Sequence, residues 1–396
     1  MNNPIIRFKK VDGSDFSDWK ESSFQEIFEF RSSISLSRSQ LNYTNGEVKN
    51  IHYGDILLKF PSIIHTDNKL IPYINQDCIP NKYDRLEKGD VVFADTAEDY
   101  SLGKAIEIGS TPFRITSGLH TIACKTKLKF ASGFLVYYLN SNFYHRQINK
   151  LATGTKVYSI IKSNIIKTKL RTPSSLEEQQ KIASFFSTLD QKIELNERKV
   201  EALEKLKKGI VQKIFTQEIR FKDKNGNQFP NWCSKKLLYV APLQRGFDLP
   251  NSNLVPGSFP VVYSNGINFS HNSYKCEGEA VITGRSGTIG RVTYLPNCRY
   301  WPHNTTLWVT NFFNNIPKFI YYLYQYIDLH RFSTGTGVPT LNRNIIHDFV
   351  VTIPIRDEQL KISQFLTTID TKINTAKLRL ERLQELKKGF MQQMFV

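Results

Sequence analysis

Two stretches of about 40 residues carry apolar positions at steps of three and four. In the first, from Ile182, these are Phe185, Phe186, Leu189, Ile193, Val200, Leu203, Leu206, Ile210 and Ile214. In the second they are Ile362, Phe365, Leu366, Ile369, Ile373, Leu380, Leu383, Leu386, Phe390 and Met394. Lys, Arg and Glu flank each stripe, the pattern of a helix that packs on another helix. Pro173 and Ser175, with Glu178 three residues on, mark one helix start, and Pro354 with Asp357 marks the other. No proline interrupts either run, so the pattern predicts long helices over 173–218 and 354–396, each about 60 Å at 1.5 Å per residue. A stripe of that length outruns one small domain. The two helices are therefore expected to pair as an antiparallel coiled coil, with Ile182, Phe186, Leu189, Ile193, Val200 and Leu203 facing Ile362, Leu366, Ile369, Ile373, Leu380 and Leu383. Asn196, where the second copy has Ala376, is a seam position suited to fixing register. The alternative is that each helix packs only on its own globule.

The stripes belong to a wider duplication. IRFKKVDGSDFSDW (6–19) matches IRFKDKNGNQFPNW (219–232), with Ile, Arg, Phe, Lys, Gly, Phe and Trp in register. EQQKIASFFSTLDQKI from Glu178 matches EQLKISQFLTTIDTKI from Glu358, and LKKGIVQKIF (Leu206–Phe215) matches LKKGFMQQMF (Leu386–Phe395). Thr153-Gly154-Thr155-Lys156-Val157 pairs with Thr334-Gly335-Thr336-Gly337-Val338. Ordered matches define two copies of one module, about 1–218 and 219–396, whose ends repeat and whose middles differ.

The middles show short strands bounded by Gly, Pro and Asn: Ile56–Phe60, Asp90–Ala94, Ala280–Thr283, Arg291–Leu295 and Phe349–Ile353. Each closes with an aromatic-rich helix, Gly133–Leu151 or Pro317–Phe332. The expected fold class is α/β, in the mixed α+β sense. Globular domains over 1–172 and 219–353 alternate with the helices, and an internal pseudo-twofold relates the copies.

Charge narrows the partners. Lys plus Arg number 53 against 36 for Asp plus Glu, a formal +17, which favours a polyanion. No apolar run reaches the ~20 residues of a bilayer span, and Met1-Asn2-Asn3-Pro4 lacks the basic-then-apolar run of a secretion signal. Cys78, Cys124, Cys233, Cys276 and Cys298 show no CxxC spacing, which argues against a zinc site and a disulfide framework. These features predict a cytoplasmic protein with no membrane partner.

Familiar catalytic signatures are missing. No GxxxxGK[ST] loop, no Asn/Asp-Pro-Pro-Tyr segment and no HExxH occurs. Gly335-Thr336-Gly337 lacks a lysine. Gly284-Arg285-Ser286-Gly287-Thr288-Ile289-Gly290 could cradle an anion but reads better as a turn between strands, and the first module has only Asp95–Gly103 there. His52, His65, His120, His145, His271, His303, His330 and His347 lack metal-ligand spacing. Glu385-Leu386-Lys387 has the form of a nuclease ExK but sits within the helical repeat. No catalytic residue, metal site or cofactor is expected in this chain.

Two related but unlike globules on stiff helices suit a bipartite, non-palindromic site on double-stranded DNA, with readers entering the major groove about 34–36 Å apart. The repeated ends would offer two equivalent docking surfaces to two copies of one partner. The chain resembles the specificity subunit of type I restriction-modification enzymes over nearly its whole length. The resemblance rests on Glu177-Glu178-Gln179 after Pro173, Asp357-Glu358-Gln359 after Pro354, the Leu-Lys-Lys-Gly closes (Leu206–Gly209 and Leu386–Gly389), and Thr334–Thr336 followed by Leu341-Asn342. The first copy departs from it, with Lys156–Ile161 where the pattern continues toward Leu-Asn. The resemblance implies that each globule is a target-recognition domain in a site-specific deoxyribonuclease and adenine methyltransferase complex. Two modification subunits would carry S-adenosylmethionine, and restriction subunits would carry the translocase and nuclease that use ATP and Mg²⁺.

DNA contacts are expected from loop-borne cations. In the first domain these are Lys59, Lys82, Arg85, Lys104, Arg114 and Lys156. In the second they are Arg245, Lys275, Arg285, Arg291, Arg299 and Arg343, with Arg285 the favoured base reader. Lys207, Lys208, Lys387 and Lys388, near the helix ends, are expected to complement helix dipoles, the alternative being contact with the spacer phosphates. The rival readings are a coiled-coil assembly scaffold that reads no DNA sequence, and a self-contained nuclease or methyltransferase.

Overall fold

The structure, a computed structural model, describes residues 3–334 and 339–396. It divides into two compact units, Met1–Glu197 with Arg379–Val396, and Arg198–Leu378.

In the first unit a five-stranded sheet runs in the order Phe28–Arg31, Thr121–Thr126, Val91–Ala94, Ala105–Ile108, Ile63–Ile64. Its pairs are antiparallel except the last. The strand Val91–Ala94 is buried throughout because the sheet is covered on both faces. Val91 and Phe93 point into one apolar cluster, Val92 and Ala94 into another. A four-stranded sheet, Arg114–Ser117, Val48–Ile51, Tyr73–Ile74 and Leu41–Asn42, lies beside it in the chain's path. The expected strand Ile56–Phe60 is instead the end of a helix, Tyr53–Leu58, capped by His52 Nδ1 accepting from the Gly54 N–H. A short apolar run has no period long enough to separate strand from helix, and here the cap decides.

The aromatic segment Gly133–Leu151 is not one helix but two, Phe134–Leu139 and Asn142–Leu151. The break has a use: the Asn140 side chain pairs with both the N–H and the C=O of Ala105 at 2.9 and 2.8 Å, tying the helix to the sheet. Ser141 then caps the second helix. In the second unit a six-stranded sheet runs Leu243–Arg245, Thr306–Val309, Cys276–Gly284, Val292–Pro302, Pro256–Tyr263, Gly266–His271. Pro317 opens its aromatic helix Pro317–Tyr326, and Leu329–Phe332 is a separate 3-10 turn. Each unit also has a two-stranded ribbon leading into a long helix. These are Lys20–Ser23 with Lys169–Thr172, and Cys233–Lys236 with Val350–Ile353.

The long helices are Leu176–Phe215 and Arg356–Gln393. In the first unit Ile182, Phe186 and Leu189 share a core with Met394 and Phe395, while Ile193, Leu380 and Leu383 are half-buried. Contacts from Phe185 to Phe390, Asp190 to Lys387 and Glu197 to Gln384 run in opposite chain directions, so the segments are antiparallel. In the second unit Ile362, Leu366, Ile369 and Ile373 join Val211, Ile214 and Phe215, with Val200 and Leu203 half-buried. Lys207 meets Asp370 and Lys377 meets Glu204, again antiparallel. The two expectations for the stripes therefore merge: each helix begins in the core of its own globule, and the end of the other helix enters the same core. Some stripe positions differ from expectation, Phe365 among them, which lies exposed. Leu206 and Leu386 are about half exposed. Asn196 is buried, but its amide donates to the Lys192 carbonyl of its own helix at 2.7 Å.

Candidate nucleic-acid interface

The repeated sequence segments meet in a repeated clamp. In the first unit Glu178, fully buried, accepts Arg7 Nε at 2.6 Å, Arg7 Nη2 at 2.9 Å and Trp19 Nε1 at 3.2 Å. In the second, Glu358 accepts Arg220 at 2.8 and 2.9 Å and Trp232 Nε1 at 3.1 Å. Each carboxylate raises the pKa of the guanidinium it binds and holds it in the charged form. Ser175 Oγ accepts from the Glu178 N–H only at 3.5 Å, and the Glu178 side chain turns to the clamp instead of back to the cap. The neighbouring glutamines work alike. Gln179 donates to Pro173 O and accepts from Ala131 N, and Gln359 donates to Pro354 O and accepts from Ile316 N. The Arg and Trp of the two N-terminal repeats, aligned with the two Glu-Gln pairs, were the signal for this clamp.

A second repeated device joins three elements in each unit. Tyr137 donates to Asp190, which also pairs with Lys387; Tyr322 donates to Asp370, which also pairs with Lys207. Lys387 and Lys207 thus bridge helices rather than complement helix ends, and Glu385-Leu386-Lys387 has its lysine committed to this latch. A cavity of about 540 Å³ beside Lys207 is lined by Lys208, Lys318, Tyr321 and Asp370. Burial among Tyr294, Tyr321 and Tyr322 lowers the Lys318 pKa.

The candidate DNA-contacting cations are in varied settings. Lys82, Arg85, Arg114 and Lys156 are exposed in the first domain, and Arg343 in the second at the start of the helix Arg343–Asp348. Lys59 is half exposed and pairs with buried Asp55 at 3.0 Å. Lys104 is drawn inward: its ammonium donates to Leu57 O at 2.9 Å, and burial lowers its pKa. Arg245 pairs with Asp248 and Arg299 with Glu277. Lys275 lies over the Trp301 and Phe247 rings, and Arg291 lies against Gly266, where a Cβ would come within 2.9 Å of its guanidinium.

Arg285 is half-buried at the end of the strand Cys276–Gly284, and its Nη1 reaches Asn304 O at 3.5 Å. The Gly-rich loop is a tight connection between two strands, as its spacing suggested. A Cβ on Gly284 would meet Thr288 O at 1.8 Å. Gly284→Ala is therefore expected to displace this loop, read as altered chemical shifts or proteolysis over 284–290 with the rest of the domain unchanged. Gly335, Thr336 and Gly337 lie outside the described residues. On their C-terminal side, Leu341 N donates to Arg285 O at 2.8 Å, and Asn342 caps the next helix. In the first unit Ile160 N donates to Asp95 O at 2.9 Å. The closing segments of both modules thus attach to the same place, although Lys156–Ile161 departs in sequence.

Histidine side chains are engaged in hydrogen bonds: His52 with Gly54, His65 with Ser110, His120 with Thr96, His271 with Val255, His303 with Thr305 and His347 with Leu243. Among the described residues no group of His, Cys, Asp and Glu could hold a metal, and all five cysteines are free thiols. No described helix is long and apolar enough to cross a membrane.

Twin clamps carrying unlike sheets define a duplicated recognition subunit. The model of the family described as "Type I restriction modification DNA specificity domain" matches residues 17–205 and again 231–385, and the chain belongs to that family of DNA-target specificity subunits. Two similar proteins come from Methanocaldococcus jannaschii. The type I restriction enzyme MjaVIII specificity subunit is 27% identical over 55% of this chain, and the match spans only 50% of that relative. A protein described as the MjaX specificity subunit is 21% identical over 97% of this chain and 94% of its own. The crystal structure of a type I restriction-modification S subunit from M. genitalium shares the fold, with a TM-score of 0.64 at 15% identity, covering 100% of this chain and 99% of that one.

Proposed function

We propose that this chain reads a bipartite, asymmetric DNA site in the cytoplasm, each globular domain taking one half, while the long helices set the spacing and recruit partners. The observation that carries this reading is the pairing of identical clamps with different sheets. Arg7–Glu178–Trp19 and Arg220–Glu358–Trp232 fix two scaffolds alike, and the scaffolds present unlike surfaces. Unlike surfaces favour unlike half-sites. The +17 charge supplies sequence-independent attraction to phosphate.

The partners in this proposal are two modification subunits, bearing S-adenosylmethionine, and restriction subunits, bearing ATP and Mg²⁺ chemistry. Each exposed leucine at an equivalent helix position, Leu206 and Leu386, sits three residues before a glycine, Gly209 or Gly389, with open space over it. Around Leu386 the surface forms a shallow groove with Gly389 and Phe390. A repeated apolar spot suits two copies of one partner better than one copy of each of two. Leu206→Asp is expected to remove one modification subunit from the assembly and Leu386→Asp the other, measured as complex mass. Retention of both subunits by both variants would place docking elsewhere.

Genome-wide mapping of adenine methylation in cells making the complex tests the central reading, and a split, non-palindromic motif is expected. On the isolated chain, log affinity for random duplex should fall steeply and linearly with log salt; a flat response favours a scaffold. Turnover of DNA by this chain alone with Mg²⁺ and S-adenosylmethionine would favour a self-contained enzyme.

A further inference from the structure

The first domain holds a charged cluster centred on one completely buried carboxylate. Asp55, in the helix Tyr53–Leu58, pairs through Oδ2 with Arg38 Nη1 at 2.6 Å and through Oδ1 with Lys59 Nζ at 3.0 Å. The side chains of both cations remain nearly half exposed, at 43% and 46%. A buried carboxylate is tolerated only when paired, so Asp55 dictates where both cationic heads stand. Arg38 has spent one N–H on this contact. No other hydrogen bond takes its remaining guanidinium N–H groups among the described residues, and a fork fixed at one corner is the group that recognises guanine O6 and N7.

The cluster's position is informative. Asp95 in the first domain and Arg285 in the second both end a sheet strand and both accept a backbone N–H from the closing segment of their module. Asp95 lies 3.4 Å from His120, whose ring packs edge-on against Tyr53 at 5.2 Å, and Tyr53 opens the helix that carries Asp55. The first domain therefore has an acidic residue where the second has Arg285, and its ordered guanidinium reaches the same neighbourhood from a different segment, the turn Arg38–Gln40.

We propose that Arg38, held by Asp55, reads a guanine in the half-site of the first domain, with Asp55 as its positioning residue. This rests on the DNA-reading function proposed above. The test is adenine-methylation mapping in cells producing the complete complex with wild-type chain, Arg38→Ala, Arg38→Gln or Asp55→Asn. Arg285→Ala serves as the second-domain control, and complex assembly and melting temperature are measured for each.

Wild type failing to give any split motif would sink the functional reading itself. Given a split motif, Arg38→Ala and Arg38→Gln are expected to relax one guanine position about 10- to 100-fold, leaving the other half-site intact. Asp55→Asn should relax the same position while the complex still assembles. If Asp55→Asn fails to fold, the two Arg38 variants decide, because that side chain is at the surface. An unchanged motif in the Arg38 variants overturns the proposal. So does a uniform loss of methylation at all sites, which is the signature of a phosphate contact.

Discussion

Deleting residues 390–396 is expected to unfold the first compact unit, although those residues are the farthest in sequence from its globular domain. Phe395 is buried against Trp19, Phe134, Tyr138 and Phe186, with ring centroids 5.5–6.5 Å apart. Met394 is buried in the same core, Tyr138 Oη donates to Val396 O at 3.2 Å, and Ile6 N donates to Gln393 O at 3.1 Å. Truncating one buried phenylalanine costs about 3–5 kcal/mol. Losing Phe395 and Met394 together is then on the order of a domain's whole stability of about 5–15 kcal/mol. Hydrogen exchange should report lost protection across the strands Val91–Ala94 and Thr121–Thr126. Strands of the second unit, such as Ala280–Thr283, should keep theirs. Equal loss in both units would refute the assignment of this segment to the first core.

Glu358→Ala should be the most damaging single substitution in the second unit. It strips a fully buried carboxylate from Arg220 and leaves Trp232 Nε1 without its acceptor. Breaking a buried pair from one side costs about 3–5 kcal/mol, because the remaining charge stays desolvated. The Arg220 side chain is 18% exposed, so little water can take the place of the carboxylate. Denaturant unfolding measures the loss. The double variant Glu358→Leu, Arg220→Met should recover part of it, since no uncompensated charge then remains. A single-variant cost below about 1 kcal/mol, the worth of an exposed ion pair, would show that the clamp is ornamental. Glu178→Ala, with Arg7 and Trp19 as the stranded partners, is the matching case in the first unit.

Much of this architecture was legible from periodicity and duplication. The apolar steps locate both long helices to within a few residues, because a helix's one-sided burial imprints its 3.6-residue period on the chain. The duplication itself pointed to two like scaffolds with unlike middles. Short elements were less legible. Ile56–Leu58 ends a helix that His52 caps, and Gly133–Leu151 breaks where the Asn140 side chain pairs with a sheet strand. The strand partner of Asn140 lies 35 residues away, outside any local pattern.

The candidate interface follows the same division. Composition set the sign and size of the charge, and no GxxxxGK[ST] motif occurs along the chain. Which cations are available was settled by their neighbours. Lys104 turns inward to Leu57 O, Lys207 and Lys387 are committed to Asp370 and Asp190, and Arg38, unremarkable in sequence, is held in place by Asp55. The linear chain was thus enough to establish the duplicated modules, their long amphipathic helices and the cationic character, since each depends on repeats or totals along it. How each core is completed and which charges stay free emerged only on folding, because a carboxylate's partners are chosen by proximity in space: Glu178 finds Arg7 171 residues away.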